Sequence, residues 1–309
     1  MNLNPSTQVN LFGHKEIFND LLKLYKNDKL PNKILLSGEK GIGKSTLAYH
    51  LINFVLSQDE EQTYDYENNT INSENKSFKL IQNKSNPNFN LIDVAEDKKN
   101  IDINQIRELI INLNKSSFNK KKRFVLIDNI ELLNINSINA LLKILEEPNE
   151  NIIFILIHNN KRVLSTLKSR CLNFKVFLTK DQSIRVINQI LNDDIYNLIN
   201  DELIDNYITP GKLYKLIKFS EEYKLDFASL NLNETLKTIF RDKIYKKDKS
   251  IVETTYSFIE LYFRNNISIK NINLLQSYQY FLEKINNTRI YNLDEETLFM
   301  EFEDKVLNG

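Results

Sequence analysis

The stretch "SGEKGIGKST", residues 37–46, decides the fold of this chain. It holds three of the six glycines among 309 residues, and it fits the pattern G-x-x-x-x-G-K-[ST] with Gly38, Gly43, Lys44 and Ser45. The apolar run "KILLS" precedes it, and "STLAYHLINFVL" continues as a helical segment. A strand, a glycine-rich loop and a helix in this order predict a phosphate-binding loop.

The loop predicts a site for ATP with Mg²⁺. Its glycines allow successive backbone N–H groups to face a phosphate, and the helix amino terminus adds the positive end of its dipole. We expect Lys44 to reach the terminal phosphates and the Ser45 hydroxyl to ligate magnesium. The predicted nucleotide contacts in this loop are Gly38, Glu39, Lys40, Gly41, Ile42, Gly43, Lys44, Ser45 and Thr46.

A second motif, "RFVLIDNIELL" at 123–133, supplies a carboxylate for the metal. Asp128 ends an apolar run and is the predicted magnesium partner of Ser45, although it could instead cap the helix that follows. Asn129 stands where an enzyme that activates water usually has a glutamate. An amide can orient water but cannot accept its proton, so slow hydrolysis is predicted. Glu131 lies two residues further along, and on a strand or its continuation it is expected to point in a different direction.

Apolar runs alternate with helical patterns up to about residue 180. Five buried strands are predicted, at 33–37, 89–94, 123–128, 151–157 and 173–177, and a helix at 102–116. This alternation predicts an α/β fold whose parallel sheet is covered on both faces. The polar, acidic segment 58–76 is expected to be a mobile surface insertion. Beyond residue 180 the patterns are helical.

Composition excludes several function classes. The 41 basic residues balance the 41 acidic ones, so the whole chain has no strong electrostatic preference for nucleic acid or membrane. One cysteine and three histidines argue against a zinc site. No apolar run approaches the length of a membrane span, and the first residues do not resemble a signal peptide. A cytoplasmic location is therefore expected.

Further stretches carry a family resemblance. "NALLKILEEP" (139–148) and the triplet Ser169, Arg170 and Cys171 resemble the clamp-loader subunits of bacterial DNA polymerase III, within the AAA+ superfamily. "LFGHKEIFNDLLKLYKNDKLPNKILLSG" and "ITPGKLYKLI" (208–217) agree with this, so the resemblance covers about residues 9–220. Within the family the chain most resembles the delta prime subunits, because motor subunits generally carry Asp-Glu in the second motif.

The resemblance implies a domain plan and partners. It implies an AAA+ P-loop domain over 1–178, a small helical lid domain over 179–222 and a C-terminal helical collar domain over 223–309. The implied partners are the other subunits of a hetero-pentameric ring and, through them, the sliding clamp and primer-template DNA. No polymerase active site is expected in this chain.

The resemblance also implies residue roles outside the loop. Arg170 matches an arginine finger that acts in trans on the nucleotide of the adjacent subunit. Asn159, or His158 beside it, lies where the family has its phosphate sensor. Lys212 matches a basic lid residue that approaches the terminal phosphate, although a solvated lysine at a helix start is an alternative.

Three hypotheses remain open from the sequence. The favoured one is a clamp-loader subunit that binds ATP, hydrolyses it poorly and positions its neighbours. The others are an active AAA+ motor subunit and an independent P-loop kinase or NTPase. The basic run 119–125 is expected to be a solvated loop, and the aromatic stretch 256–263 is expected to form helix core.

Overall fold

The computed structural model describes residues 3–95, 98–115, 119, 121–146, 151–159, 165–267 and 272–308. Its strands are β1 (Lys33–Ser37), β2 (Phe89–Ile92), β3 (Arg123–Ile127), β4 (Ile152–His158) and β5 (Leu172–Lys175). Its helices are α1 (Lys15–Lys26), α2 (Lys44–Leu56), α3 (Lys76–Gln82), α4 (Ile103–Asn114), α5 (Ile135–Glu146), α6 (Ser165–Lys168), α7 (Lys180–Leu191), α8 (Pro210–Tyr223), α9 (Leu232–Arg241), α10 (Lys249–Asn266), α11 (Ile272–Tyr291) and α12 (Glu295–Phe302).

The five strands form one parallel sheet in the order β2-β3-β4-β1-β5. The carboxyl ends of all five strands therefore lie at the same edge, and β1 delivers the glycine-rich loop to that edge between β4 and β5. Each strand lies within one or two residues of its predicted position. The predicted α/β fold with a parallel sheet is confirmed.

Both faces of the sheet are covered, as predicted. One apolar cluster joins alternate residues of β1, β3 and β4 to α1, α2 and α3, and includes Ile34, Phe124 and Ile155. The other cluster joins the opposite set to α4 and α5, and includes Leu35 and Phe154. Because adjacent strand residues face opposite sides, the continuous apolar runs in the sequence serve two layers of helices.

Helix α4 illustrates how local sequence sets an element boundary. The Asp102 side chain accepts hydrogen bonds from the backbone N–H groups of Asn104 and Gln105, and the Gln105 side chain accepts one from the Asp102 N–H. This capping box begins the helix next to the predicted start. Ile106, Leu109 and Leu113 are buried, which is the face that the helical spacing predicts.

Segment 58–76 is not a loose insertion, so that prediction is wrong. Tyr64 and Ile71 are buried in the first apolar cluster, and the Tyr64 hydroxyl lies 2.8 Å from Nδ1 of His50. Asp65 and Thr70 form an antiparallel bridge, and Asn75 caps α3. The segment has no apolar period because isolated anchors, rather than a helix or strand face, attach it to the core.

Strand β5 also differs from its prediction as a buried strand. It lies at the edge of the sheet, and Leu172 and Asn173 are exposed. An apolar run alone does not distinguish a central strand from an edge strand, because strand order is a property of the assembled sheet.

The described chain divides into two compact units. The first comprises residues 1–186 with 209–212, and the second comprises 187–208 with 213–309. The second unit is helical and has an aromatic core, in which Phe240 stacks on Phe299 with ring centres 5.4 Å apart. Tyr256, Phe258 and Phe263 are buried there, so the helix-core prediction for the aromatic stretch is confirmed. The three-domain plan stays a prediction.

Some predicted features fall partly outside the described residues, namely 147–148 of the family stretch at 139–148, residue 120 of the basic run, and 160–164 before α6. Among the described helices, none is both long enough and apolar enough to cross a lipid bilayer.

Candidate nucleotide-binding site

The glycine-rich loop has the backbone that its sequence requires. Gly41 and Gly43 have φ values of 83° and 101°, in the region that side chains with a Cβ rarely adopt. Gly38 meets the backbone instead: a Cβ there would lie 2.1 Å from the carbonyl oxygen of Val176. The three glycines therefore serve two needs, a left-handed backbone at two positions and a close backbone approach at the third.

Lys44 begins α2 and is buried, with 3% of its surface exposed. Its ammonium donates hydrogen bonds to the carbonyl oxygens of Gly38 at 2.8 Å and Glu39 at 2.7 Å. Burial lowers the pKa of Lys44 to about 8, against the opposing effect of nearby carboxylates, chiefly Asp128. The loop thus encloses the Lys44 cation, which donates to two carbonyls of the loop itself.

Ser45 and Asp128 come together as the sequence predicts for a magnesium pair. The Ser45 hydroxyl donates to Oδ2 of Asp128 at 2.6 Å. Burial raises the pKa of Asp128, and the bond from Ser45 acts in the opposite direction. A hydroxyl and a carboxylate are oxygen ligands of the kind Mg²⁺ takes beside nucleotide phosphates, so these residues fit a magnesium–nucleotide complex. Within the described residues, no group of three or more His, Cys, Asp or Glu side chains is arranged to hold a metal ion by itself.

Asn159 also lies at this edge, directly after β4. Its side-chain amide donates to Oδ1 of Asn129 and to Oε1 of Glu131, both at 2.9 Å. His158, the alternative sensor, is buried, and its carbonyl oxygen accepts from the N–H of Gly38 at 3.2 Å. The Asn159 side chain is therefore bonded to two residues that follow β3.

A segment at the start of α8 covers the loop. The Thr209 hydroxyl donates to the carbonyl of Lys40 at 3.0 Å, and the Gly211 N–H donates to the carbonyl of Gly41 at 2.9 Å. A Cβ on Gly211 would lie 2.7 Å from Cα of Gly41, so the two backbones touch. Lys212 forms an ion pair with Glu39 at 3.7 Å. The segment thus brings Lys212 to the loop.

Arg170 is separate from these residues. It precedes β5, at the amino-terminal edge of the parallel sheet, whereas the loop follows the carboxyl end of β1. Its guanidinium donates to Oε1 of Glu146 through Nε at 3.1 Å and Nη2 at 2.5 Å, and to the carbonyl of Thr166 at 2.8 Å. One strand length of roughly 15 Å separates the two edges, so Arg170 cannot serve the loop of its own chain.

Sequence reasoning missed Asp93 and misplaced Glu131. Asp93 follows β2 as Asp128 follows β3, and that parallel was available in the sequence; its Oδ1 accepts from the Asn129 amide at 2.9 Å. Glu131 was expected to point in a different direction on a strand or its continuation, but β3 ends at Ile127 and Asn129 is left-handed at φ 55°. The turn into a 3-10 helix at Ile130–Leu132 brings the Glu131 carboxylate to Asn159.

Comparison with known proteins decides the family. A family model described as "DNA polymerase III, delta subunit" matches residues 13–179, more than half of the chain. The chain belongs to this family. The family resemblance predicted from the motifs is thereby confirmed.

The relatives of this chain include gamma subunits and delta' subunits of DNA polymerase III. The chain is 29% identical over 235 residues to DNA polymerase III subunit gamma of Buchnera aphidicola subsp. Schizaphis graminum, covering 75% of the chain and 62% of that protein. It is 33% identical over 138 residues to subunit delta' of Pseudomonas aeruginosa, covering 44% and 40%. Subunit delta' of the same Buchnera is 24% identical over 280 residues, covering 87% and 83%. The chain thus spans less than two thirds of the first two relatives.

A solved structure has the same fold. The DNA polymerase III gamma subunit-related protein of Thermotoga maritima superimposes with a TM-score of 0.51 at 17% identity, over 91% of this chain and 96% of that one. The AAA+ fold assignment is consistent with this likeness.

Proposed function

We propose that this chain is a delta prime-type subunit of a clamp loader, which binds Mg-ATP in its own loop, hydrolyses it slowly and supplies Arg170 to the adjacent subunit. In this proposal it assembles with motor and clamp-opening subunits in a cytoplasmic hetero-pentameric ring that loads the sliding clamp on primed DNA. The carrying observation is that Ser45 bonds Asp128 at 2.6 Å beside the buried Lys44, while the next residue, Asn129, is an amide.

The binding half of the proposal rests on the loop. Gly41 and Gly43 are left-handed and α2 begins at Lys44, features that support a loop whose backbone N–H groups can face a phosphate. Lys212 reaches the loop through its ion pair with Glu39 and is a further candidate donor, and Asn159 lies at the same edge of the sheet. A phosphate entering the loop would offer Lys44 a charge-assisted partner in place of two neutral carbonyls.

The slow-hydrolysis half rests on residue 129. The amide of Asn129 is not a base, and its NH₂ group is already bonded to Asp93 at 2.9 Å. The trans role of Arg170 is supported by its place at the opposite edge of the sheet from its own loop.

The second candidate is an active motor subunit. The 29% identity to a gamma subunit favours it, as does the Glu131 carboxylate beside Asn159, since a carboxylate can accept a proton. An independent kinase or NTPase has no specific observation in its favour.

Calorimetry and phosphate release on the purified chain separate these candidates. We expect Mg-ATP binding with negligible turnover; turnover on the order of one per second or faster would identify a motor subunit instead. Lys44→Ala should weaken binding roughly 100-fold, about 3 kcal/mol, because a buried charged donor is lost. The exposed Lys29→Ala serves as the matched control and should bind normally. Absence of ATP binding by the wild-type chain would refute the binding half.

A further inference from the structure

A cleft lies between segment 58–76, the start of α3 and the residues just before β2. Its volume is about 560 Å³, which is in the range of sites that hold a small molecule. All of its described lining residues belong to the first compact unit. They include four carboxylates and two lysines, namely Asp59, Glu60, Glu61, Glu74, Lys76 and Lys121. We call this feature the acidic cleft.

Two of the four carboxylates are already neutralised by lysines of the chain. Glu74 forms an ion pair with Lys79 at 2.6 Å, and Asp59 lies 3.6 Å from the ammonium of Lys121. Lys76, the other lysine of the cleft, is exposed to solvent. The negative charge that remains for a ligand therefore belongs to the other two carboxylates.

Glu60 is the carboxylate that the fold holds in place. Its Oε1 accepts a hydrogen bond from the Ser77 hydroxyl at 2.5 Å, and its Oε2 accepts one from the Ser77 N–H at 3.1 Å. A carboxylate has about four acceptor positions, so Glu60 keeps capacity for a further donor. In the part of the chain that the structure describes, neither Glu60 nor Glu61 forms an ion pair. The cleft therefore contains an oriented anion without a cation.

A buried amide lines the same cleft. Asn88 is 5% exposed, and both of its backbone groups are bonded: its N–H donates to Oδ1 of Asn86 at 2.9 Å, and its carbonyl accepts from the N–H of Phe124 at 2.7 Å. Its side-chain amide has no hydrogen-bond partner among the described residues. A buried amide without a partner is costly, so a ligand that bonds Asn88 would remove this cost on binding.

These groups favour an organic cation as the ligand. Carboxylates and an amide carbonyl accept hydrogen bonds from an ammonium group, and the bonds to carboxylate are charge-assisted. The described carboxylates of the cleft are not grouped in a way that could hold a metal ion. Two carboxylates without an ion pair, Glu60 and Glu61, match a ligand with two positive charges.

We propose that the acidic cleft binds an aliphatic diamine, with one ammonium group on Glu60 and Asn88 and the other near Glu61. The proposal does not depend on the nucleotide loop, and no chemical step is assigned to the cleft.

Calorimetry on the full-length chain with 1,4-diaminobutane at about 50 mM salt tests the proposal. We expect saturable binding at one site, and Glu60→Gln should weaken it by about tenfold or more, because the charge-assisted bond is lost. Butylamine, which has one ammonium group, should bind about tenfold more weakly than the diamine. At ten times its Kd, the diamine should raise the thermal midpoint by about 2 °C, since only the folded chain has the cleft.

Asn88→Asp gives a change of opposite sign. This isosteric variant adds a negative charge to the cleft and should tighten diamine binding by about threefold or more. A purely structural role of Asn88 would not produce tighter binding. Glu108→Gln in α4 is the matched control, because it removes the same charge from an exposed site outside the cleft. It should change the affinity by less than about twofold.

If Glu60→Gln does not fold, the exposed Glu61→Gln replaces it and should also weaken binding. The proposal is overturned if the wild-type chain shows no saturable binding below about 10 mM diamine, a concentration at which nonspecific ion pairing begins to compete. It is also overturned if Glu108→Gln weakens binding as much as the substitution in the cleft, because the diamine would then respond only to the overall charge of the chain.

Discussion

The two cations at opposite edges of the sheet, Lys44 and Arg170, are held in different ways. Lys44 is 3% exposed and bonds two carbonyls of its own loop, which move only if the backbone moves. The Arg170 side chain is 33% exposed, and its ion-pair partner Glu146 is 56% exposed. Exposed ion pairs contribute about 0–1 kcal/mol, so Arg170 can exchange partners at little cost. A preorganised site and an available donor therefore coexist in one domain.

The largest effect is expected when Arg170, the exposed member of this comparison, is removed. Arg170→Ala should lower turnover at the neighbour's site by about 10³-fold or more, because the guanidinium no longer offsets the charge that develops on the phosphoryl group. DNA-stimulated ATPase and clamp loading in the reconstituted ring measure it. Arg170→Lys should be a poor substitute, since it lacks two parallel donors.

The control for this prediction is Arg107→Ala, an exposed arginine in α4, which should leave ring activity unchanged. ATP affinity of the isolated chain and ring assembly should also be unchanged in Arg170→Ala. Loss of the chain's own ATP binding with normal ring activity would mean that Arg170 serves its own site.

Gly211→Ala should disrupt the contact between the start of α8 and the glycine-rich loop. Its Cβ would lie 2.7 Å from Cα of Gly41 and 2.9 Å from that residue's carbonyl oxygen, so the two backbones must separate. We expect a loss of about 1–3 kcal/mol in the free energy of unfolding, measured by denaturant titration. Lys212→Ala in the same segment removes only an exposed ion pair and should cost less than about 1 kcal/mol. Equal stability of the two variants would argue against a fixed segment over the loop.

The pH dependence of ATP binding tests the protonation of the buried Lys44 in the loop. The pKa of Lys44 is about 8 without ligand, so above pH 8 ATP must bind with uptake of a proton by the amine. Affinity should fall by up to about tenfold per pH unit from pH 8 toward the ordinary lysine pKa. Calorimetry at pH 9 in buffers of different ionisation enthalpy measures the uptake; heats that do not depend on the buffer would contradict it.

The lowered pKa of Lys44 also determines how the stability of the folded chain changes with pH. The folded pKa lies below the unfolded value, so the unfolded chain binds more protons between the two. The ligand-free wild-type chain should therefore gain stability relative to Lys44→Met as pH rises through 8. Lys29→Ala should behave like wild type.

The smallest expected effect is that of Glu146→Gln. Without the carboxylate Arg170 loses a competing partner, so ring turnover should rise, by at most about fivefold, since the ion pair contributes no more than about 1 kcal/mol. The thermal midpoint should hardly change. A loss of turnover as large as that of Arg170→Ala would show instead that Glu146 is needed to aim the arginine.

Much of the fold was predictable because its signals are local. Apolar runs marked all five strands, and the spacing of Ile106, Leu109 and Leu113 marked the buried face of α4. The buried anchors Tyr64 and Ile71 were missed, because single apolar residues in a polar segment have no period to detect. The edge position of β5 was missed because strand order depends on pairing between distant segments.

The candidate site also contains residues that local sequence predicts and residues that only the assembled fold brings together. The sequence by itself determined the glycine-rich loop, Lys44, Ser45 and Asp128, because a phosphate loop needs particular residue types at fixed spacing. Only the tertiary structure decided that Asp93 and Glu131 join Asn129 and Asn159, since three strand ends meet at one edge only once the sheet has assembled. It also decided that Arg170 lies at the other edge, because the parallel pairing of β5 with β1 sets the amino end of one strand away from the loop of the other.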